Sequence, residues 1–237
     1  MASKKAIDRA GKYLREWWNA PLGEEDETGL PEALSLVSDW RSGHQHPLVL
    51  VNNGLRQFIR TEGDGPILVS QRLKRVPTII DKLARHENMQ ITQMQDIAGC
   101  RAILPDQANA TAVLNRIAHR WTVRGEVDNY AARPAHTGYR AIHVVVVREE
   151  RMIEIQLRTR PQHAWAAAVE RASGLDPTLH RIKDGIGPQP VVDYFRAASD
   201  ILALQEAQMP VDDDTVRLFV ELREAARALH PGVLLGA

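Results

Sequence analysis

Polar side chains that can do chemistry lie on both sides of one apolar run, Val144 to Val147. They are Tyr139, Arg140 and His143 before the run, and Glu154, Gln156, Arg158 and Thr159 after it. The run predicts a buried strand, and the alternation from Met152 to Leu157 predicts a second strand that pairs with it. On that strand Glu154 and Gln156 project to the same face. A carboxylate, an amide and a guanidinium are costly to bury unless they bind something or pair with each other, so the segment is interpreted as a site.

A cationic cluster precedes this segment in the chain. It comprises Arg72, Lys74, Arg75 and Lys82, which follow one predicted strand and enter the next predicted helix. Cations and free backbone N–H groups at such a junction hold phosphate oxygens. The Gly-x-x-x-x-Gly-Lys loop is absent from the sequence, so a P-loop is not the solution used here. The alternative interpretation is a solvated basic helix start.

Asp96 and Arg101 flank Gly99 at the entry to another apolar strand. A carboxylate at a strand edge can hold Mg²⁺ while substrate phosphates and water complete the coordination. The alternative is that Asp96 caps a turn. Glu154 favours the metal interpretation, because two carboxylates from different strands can share an ion, or one can hold it while the other polarises a hydroxyl.

Tyr139, next to the turn former Gly138, offers a flat face for a nucleic base. Such stacking is worth about 1–3 kcal/mol. The alternative is an ordinary hairpin tyrosine with a core histidine at His143.

The pattern of elements predicts an α/β (α+β) fold, with a mixed sheet of about five strands flanked by helices. Strands are predicted at 67–69, 100–104, 121–127, 144–147 and 152–157, and helices at 4–18, 31–40, 48–60, 77–86, 108–120, 161–172, 191–208 and 213–229, with a loop at 175–190. Three regions are expected: an N-terminal helical segment (1–62), a catalytic domain (63–174) and a C-terminal helical segment (175–237). Gly63 to Pro66 breaks the pattern between the first two.

Composition limits the class of protein. The 237 residues are 44% hydrophobic, and 30 basic residues balance 30 acidic ones, so no global charge marks a nucleic-acid binder. The single cysteine, Cys100, is expected to be a small buried hydrophobe, and it favours a cytoplasmic setting. No apolar stretch is long enough to span a membrane. Neither paired cysteines nor a His-Glu-x-x-His helix indicates zinc.

Taken in order, the clusters resemble the synthetase domain of the RelA/SpoT family, whose members move pyrophosphate from ATP to a ribose 3′-hydroxyl. The resemblance covers roughly residues 65–172. It is carried by RLKRVPTIIDKL, DIAGCR, GYRAIH and EIQLRT, followed by the helix QHAWAAAVE. Each motif alone is weak, but their common order is specific.

The resemblance implies a role for each candidate. Arg72, Lys74 and Lys82 would hold ATP phosphates, and Arg101 would lie against the adenine. Asp96 and Glu154 would hold Mg²⁺, and Glu154 would also activate the acceptor hydroxyl. Tyr139 would stack on the acceptor base, while His143, Gln156 and Arg158 would orient the acceptor. Phosphoryl chemistry needs this charge neutralisation and alignment more than covalent participation.

The sequence does not identify the molecule that accepts the pyrophosphate. The chain resembles the small single-domain synthetases, some of which make guanosine alarmones from GDP or GTP, while a toxic branch modifies the 3′ end of tRNA and others use adenine nucleotides. A tRNA partner would need a basic surface, for which the candidates are Lys4, Lys5, Arg9, Lys12, Arg116, Arg120 and Arg124. A solvated face explains the same residues. The terminal helices are expected to build a homo-oligomer, cover the core or receive an antitoxin. A further alternative is a nucleotide-binding regulatory module that has lost the chemistry.

Overall fold

The computed structural model describes residues 2–21, 23, 27–62 and 68–231. The described residues form eight α-helices: α1 Lys4–Asn19, α2 Leu30–Ser42, α3 Gln45–Glu62, α4 Val76–Arg85, α5 Gln107–Arg120, α6 Arg160–Leu175, α7 Gln189–Glu206 and α8 Asp213–Leu229. Polar side chains cap several of them. Ser3 accepts a hydrogen bond from the backbone N–H of Ala6, and Asp212 accepts one from Thr215. These caps satisfy N–H groups that the first turn of a helix leaves without partners.

Five strands form one mixed sheet, as predicted. They are β1 Leu68–Leu73, β2 Ala98–Leu104, β3 Asp128–Asn129, β4 Ile142–Arg148 and β5 Arg151–Thr159, in the order β1-β2-β5-β4-β3. β3 and β4 are antiparallel, with Asp128 opposite His143. The central strands β2 and β5 bury alternate side chains. The α+β class is therefore confirmed.

A two-residue turn joins β4 to β5. Its residues, Glu149 and Glu150, have φ angles of 48° and 61°. Two left-handed residues define the type I′ hairpin turn, whose twist matches that of the flanking strands. The turn fixes which side chains of β5 share a face, because a one-residue slip would move every one of them to the other side.

Two compact units can be distinguished along the chain. Unit 1 comprises Met1–Ala102, Asn115–Glu126 and Val144–Gln156, and unit 2 comprises Ile103–Leu114, Val127–His143 and Leu157–Ala237. Unit 1 has a core of apolar side chains from α1, α2 and α4, including Leu14 and Leu83. In unit 2, α6 and α7 pack through Trp165 and Phe195, and Phe219 of α8 packs on Tyr194. The boundaries expected after residues 62 and 174 stay predictions.

The strand predicted at 121–127 is wrong. Within it, only Val123 forms an isolated bridge, to Val146, and the strand that joins the sheet is β3. Gly125 interrupts the segment with a φ of 74°, and Trp121 packs against Phe58 with ring centroids 4.6 Å apart. The aromatic side chain of Trp121, which favours a strand in the sequence, is thus used to pack against α3.

Other expectations concern smaller features. The break predicted at residues 63–66 and the strand start predicted at residue 67 lie outside the described residues. The loop predicted at 175–190 contains two short 3-10 turns, Pro177–Leu179 and Ile182–Asp184. Cys100 is buried as expected, and burial raises the pKa of its thiol to about 12. Among the described residues, no helix is both long enough and apolar enough to cross a membrane.

Candidate active site

Asp96 lies between two lysines in unit 1. Its carboxylate oxygens accept hydrogen bonds from Lys74 Nζ at 2.8 Å and from Lys82 Nζ at 2.9 Å. Lys74 immediately follows β1, and its backbone N–H is bonded to Ile97 O, so strand pairing fixes its position. Lys82 lies on the last turn of α4. A strand end, a helix and a loop thus bring two cations to one carboxylate.

The electrostatics of this cluster keep Asp96 charged. Burial by itself would raise the pKa of Asp96, but the hydrogen bonds and charges of Lys74 and Lys82 outweigh it and lower that pKa below the ordinary value. The three side chains are largely withdrawn from water, with 21% of Asp96, 10% of Lys74 and 26% of Lys82 exposed. Two ammonium groups held in this way can bind phosphate oxygens. Arg72 lies nearby in sequence, exposed on β1.

A second polar group in unit 1 is formed by β5 and β2. Gln156 Nε2 donates a hydrogen bond to Glu154 Oε2 at 2.8 Å, and Gln156 Oε1 accepts one from Arg101 Nε at 3.4 Å. The shared face expected for Glu154 and Gln156 is therefore observed. A Cβ at Gly99 would lie 3.2 Å from the backbone oxygen of Glu154 and 3.9 Å from its Oε2. The glycine thus leaves space beside the carboxylate that a larger residue would fill.

Asp96 and Glu154 are the predicted Mg²⁺ ligands. Among the described residues, no group of three or more His, Cys, Asp or Glu side chains is arranged to hold a metal. The described residues therefore build no metal cage made wholly of such side chains. Mg²⁺ commonly takes one or two carboxylates and fills its other positions with water and substrate phosphates. Asp96 and Glu154 have the oxygen donors for that mode, and their binding of Mg²⁺ stays a prediction.

A third group, in unit 2, is centred on Tyr139. The phenol oxygen accepts a hydrogen bond from Arg158 at 2.8 Å and lies 2.6 Å from His143 Nε2. The hydroxyl and Nε2 share one hydrogen bond, and which of them donates depends on the tautomer of His143. Tyr130 lies edge-on to both rings, with centroids 5.8 Å from Tyr139 and 5.5 Å from His143. These contacts hold the tyrosine ring in one orientation.

A cavity of about 250 Å³ opens beside Tyr139 in unit 2. Its lining includes Tyr139, Arg158, Trp165, Val169, Glu170 and Lys183. A lining of aromatic, apolar and charged side chains suits a flat heterocycle with polar edges. Glu170 and Lys183 were missed from the sequence. Glu170 reads as an ordinary exposed helix residue, and Lys183 lies in a segment predicted only as a loop.

The structure thus groups the predicted residues in three sets. Unit 1 contains Lys74 and Lys82 with Asp96, and separately Glu154 and Gln156 with Arg101. Unit 2 contains Tyr139 with His143 and Arg158. Their roles in a reaction stay predictions. Trp165 is buried and also lines the cavity.

Part of the chain matches a described protein family. Residues 71–173 match the family described as "Region found in RelA / SpoT proteins". An uncharacterized protein of Mycobacterium tuberculosis is 31% identical over 156 residues, which are 60% of this chain and 56% of that protein. The chain thus spans little more than half the length of this relative. The probable chloroplastic GTP diphosphokinase RSH3 of rice is 30% identical over 100 residues, 41% of this chain and 14% of the rice protein.

Solved structures agree on the fold. Small alarmone synthetase 2 from Bacillus subtilis superposes with a TM-score of 0.61 at 21% identity, over 73% of this chain and 95% of that one. Small alarmone synthetase 1 from the same organism, bound to its product pppGpp, gives a TM-score of 0.58 at 26% identity, over 72% and 95%.

The chain thus shares the fold of these small alarmone synthetases. The chain carries a RelA/SpoT region at residues 71–173, and the resemblance inferred from its motifs is confirmed.

Proposed function

We propose that the protein is an ATP-dependent pyrophosphokinase that transfers the β,γ-pyrophosphate of ATP to a ribose 3′-hydroxyl. The observation that carries the proposal is the grouping of Lys74, Lys82, Asp96 and Glu154 in one compact unit, inside the RelA/SpoT region. Transfer of phosphoryl groups depends on charge neutralisation and alignment, and this set supplies two cations and two carboxylates for it.

In the proposed reaction, the lysines bind the phosphates of ATP and Arg101 packs against its base. Glu154, oriented by Gln156, takes the proton of the acceptor 3′-hydroxyl. The acceptor oxygen forms a bond to the β-phosphorus, and the bond from that phosphorus to the α,β-bridging oxygen breaks, so AMP leaves. Asp96 and Glu154 would hold Mg²⁺. When bound, this ion neutralises charge on the phosphate oxygens.

The acceptor end of the reaction is assigned to the cavity beside Tyr139. The ring would stack on the acceptor base, while His143 and Arg158 hold the phenol in place. GDP or GTP is the preferred acceptor in this proposal. Two similar proteins support this choice: the rice protein is named a probable GTP diphosphokinase, and small alarmone synthetase 1 from Bacillus subtilis was solved with its product pppGpp bound.

A tRNA acceptor receives less support from the surface charges. Lys12 is paired with Glu16 at 3.6 Å, and Arg116 is paired with Glu62 at 3.4 Å. These pairs neutralise part of the basic surface that tRNA binding would use.

The test is transfer of label from γ-³²P-ATP in the presence of Mg²⁺, with GDP, GTP, ATP and deacylated tRNA offered in parallel. We expect label in a guanine nucleotide. Label in tRNA alone would assign the protein to tRNA modification, and growth arrest on expression would accompany it. Binding of ATP without transfer to any acceptor would indicate a regulatory module and contradict the proposal.

A further inference from the structure

The loop that carries Tyr139 is fastened to helix α7, which lies in the chain beyond the RelA/SpoT region. Ser199 Oγ donates a hydrogen bond of 2.5 Å to the carbonyl of Gly138. The same oxygen accepts one of 3.1 Å from Arg140 Nε. Ser199 therefore binds the residues on both sides of Tyr139. Ser199 as a whole is 3% exposed, so water has little access to these bonds.

Gly138 allows the loop to approach the helix this closely. Its φ is 88°, a conformation that side chains other than glycine rarely adopt. A Cβ at this position would lie 3.0 Å from Ser199 Cβ and 3.1 Å from Arg196 Cα. The glycine thus serves both the turn and the contact with α7.

Further bonds fix the same loop to the same helix. Arg140 NH2 donates to Asp200 Oδ1 at 2.8 Å, and Arg196 Nε donates to the carbonyl of His136 at 2.9 Å. The wall of the cavity is attached as well, because Trp165 Nε1 donates to the carbonyl of Phe195 at 2.7 Å. The loop that carries Tyr139 and the cavity residue Trp165 are therefore hydrogen-bonded to successive turns of α7.

We propose that Ser199 and Asp200 are positioning residues for the acceptor site, acting through Gly138 and Arg140 on Tyr139. This inference rests on the proposed function. Neither residue needs to touch a substrate. They hold the backbone on either side of Tyr139, and thereby keep its ring in the orientation that an acceptor base meets. Because the ATP-binding side chains are in unit 1, loosening the loop is expected to affect the acceptor and to spare ATP.

The experiment compares Ser199→Ala with Ser173→Ala in the full chain. Ser173 is a matched control, since its hydroxyl bonds only within α6, to the carbonyl of Val169 at 2.9 Å. We expect Ser199→Ala to raise the acceptor KM about tenfold, the effect of losing about 1.4 kcal/mol of binding, and to leave the ATP KM within about twofold. Asp200→Asn should raise the acceptor KM by about threefold, because its pair with Arg140 is more exposed. Ser173→Ala should change neither KM.

A double-mutant cycle tests whether the effect passes through Tyr139. In a Tyr139→Ala background, Ser199→Ala should no longer change the acceptor KM. Equal changes in the KM of ATP and of the acceptor, or an undiminished effect in the double mutant, would overturn the inference.

Hydrogen exchange separates this inference from the proposed function, because it needs no activity. Amides of residues 131–141 should exchange faster in Ser199→Ala than in wild type and in Ser173→Ala. If the wild type transfers to no acceptor, the proposed function fails while faster exchange still supports the attachment to α7. Exchange equal in all three proteins would overturn it.

Discussion

Asp96→Asn should destabilise the protein far more than loss of a surface carboxylate. The substitution keeps the size of the side chain but removes the charge that neutralises Lys74 and Lys82, whose ammonium groups lie within 3 Å of it. Removing one partner of a buried ion pair costs about 3–5 kcal/mol, whereas exposed pairs contribute about 0–1 kcal/mol. With 21% of its side chain exposed, Asp96 lies nearer the buried case, so we expect a loss of roughly 2–3 kcal/mol. In a chain of this length, that lowers Tm by about 4–12 °C.

The ion pairs of Asp96 with Lys74 and Lys82 also predict how the stability of the protein depends on pH. The pKa of Asp96 is lower in the folded protein than its ordinary value of 3.8. Its contribution to stability is therefore fully present above that ordinary value and is lost as the pH falls through the lowered, folded-state pKa. The difference in Tm between wild type and Asp96→Asn should be complete at pH 7 and shrink as the pH falls below about 4.

Asp81→Asn provides the control for thermal unfolding followed by circular dichroism. Asp81 pairs with Arg85 on α4, with 45% and 35% of the two side chains exposed. Its loss should cost at most about 0.5 kcal/mol. If Asp96→Asn were as stable as Asp81→Asn at pH 7, the inferred electrostatic role of Asp96 would be wrong.

Three further substitutions test separate features. Tyr139→Ala should raise the acceptor KM by about 10- to 100-fold through lost stacking, and Tyr139→Phe by less, with the ATP KM unchanged in steady-state kinetics; equal KM values for Tyr139→Ala and wild type would refute stacking. Lys82→Met should raise the ATP KM about tenfold, because a charge-assisted phosphate contact is lost; a change confined to the acceptor KM would contradict this. Glu150→Gly should stabilise the hairpin by about 0.5–1 kcal/mol in thermal unfolding, since glycine adopts its φ of 61° without strain; a lower Tm would show that the turn is not strained.

Local patterns predicted most of the elements, because periodicity and burial agree in them. The helices predicted at 4–18 and 213–229 are observed at Lys4–Asn19 and Asp213–Leu229. Contacts between distant segments were beyond these patterns. Glycine weakens the interior of a helix, yet a Cβ at Gly54 in α3 would lie 2.5 Å from Trp121 Cζ2, so the glycine makes room for the indole. The same contact explains why the segment after Trp121 does not form the strand that its composition predicts.

In the candidate site too, local features follow from the sequence pattern, whereas contacts between distant segments do not. The shared face of Glu154 and Gln156 follows from the two-residue period of a strand, and their hydrogen bond bears it out. The attachment of Arg140 to Ser199 and Asp200 joins residues about 60 positions apart. Neither Ser199 nor Asp200 stands out in a helical sequence, so only the folded arrangement identifies them.

The central claim is tested most directly by the nucleotide that ATP becomes. Wild type and Glu154→Gln would be incubated with ATP, Mg²⁺ and GDP or GTP, and the products quantified by ion-exchange chromatography and mass spectrometry, with Glu221→Gln, an exposed carboxylate on α8, as the control. The account predicts one AMP for each acceptor that gains two phosphates, with full activity in Glu221→Gln and at least a 100-fold lower rate in Glu154→Gln, as expected for loss of a general base. Formation of ADP in place of AMP, or a fully active Glu154→Gln, would contradict it.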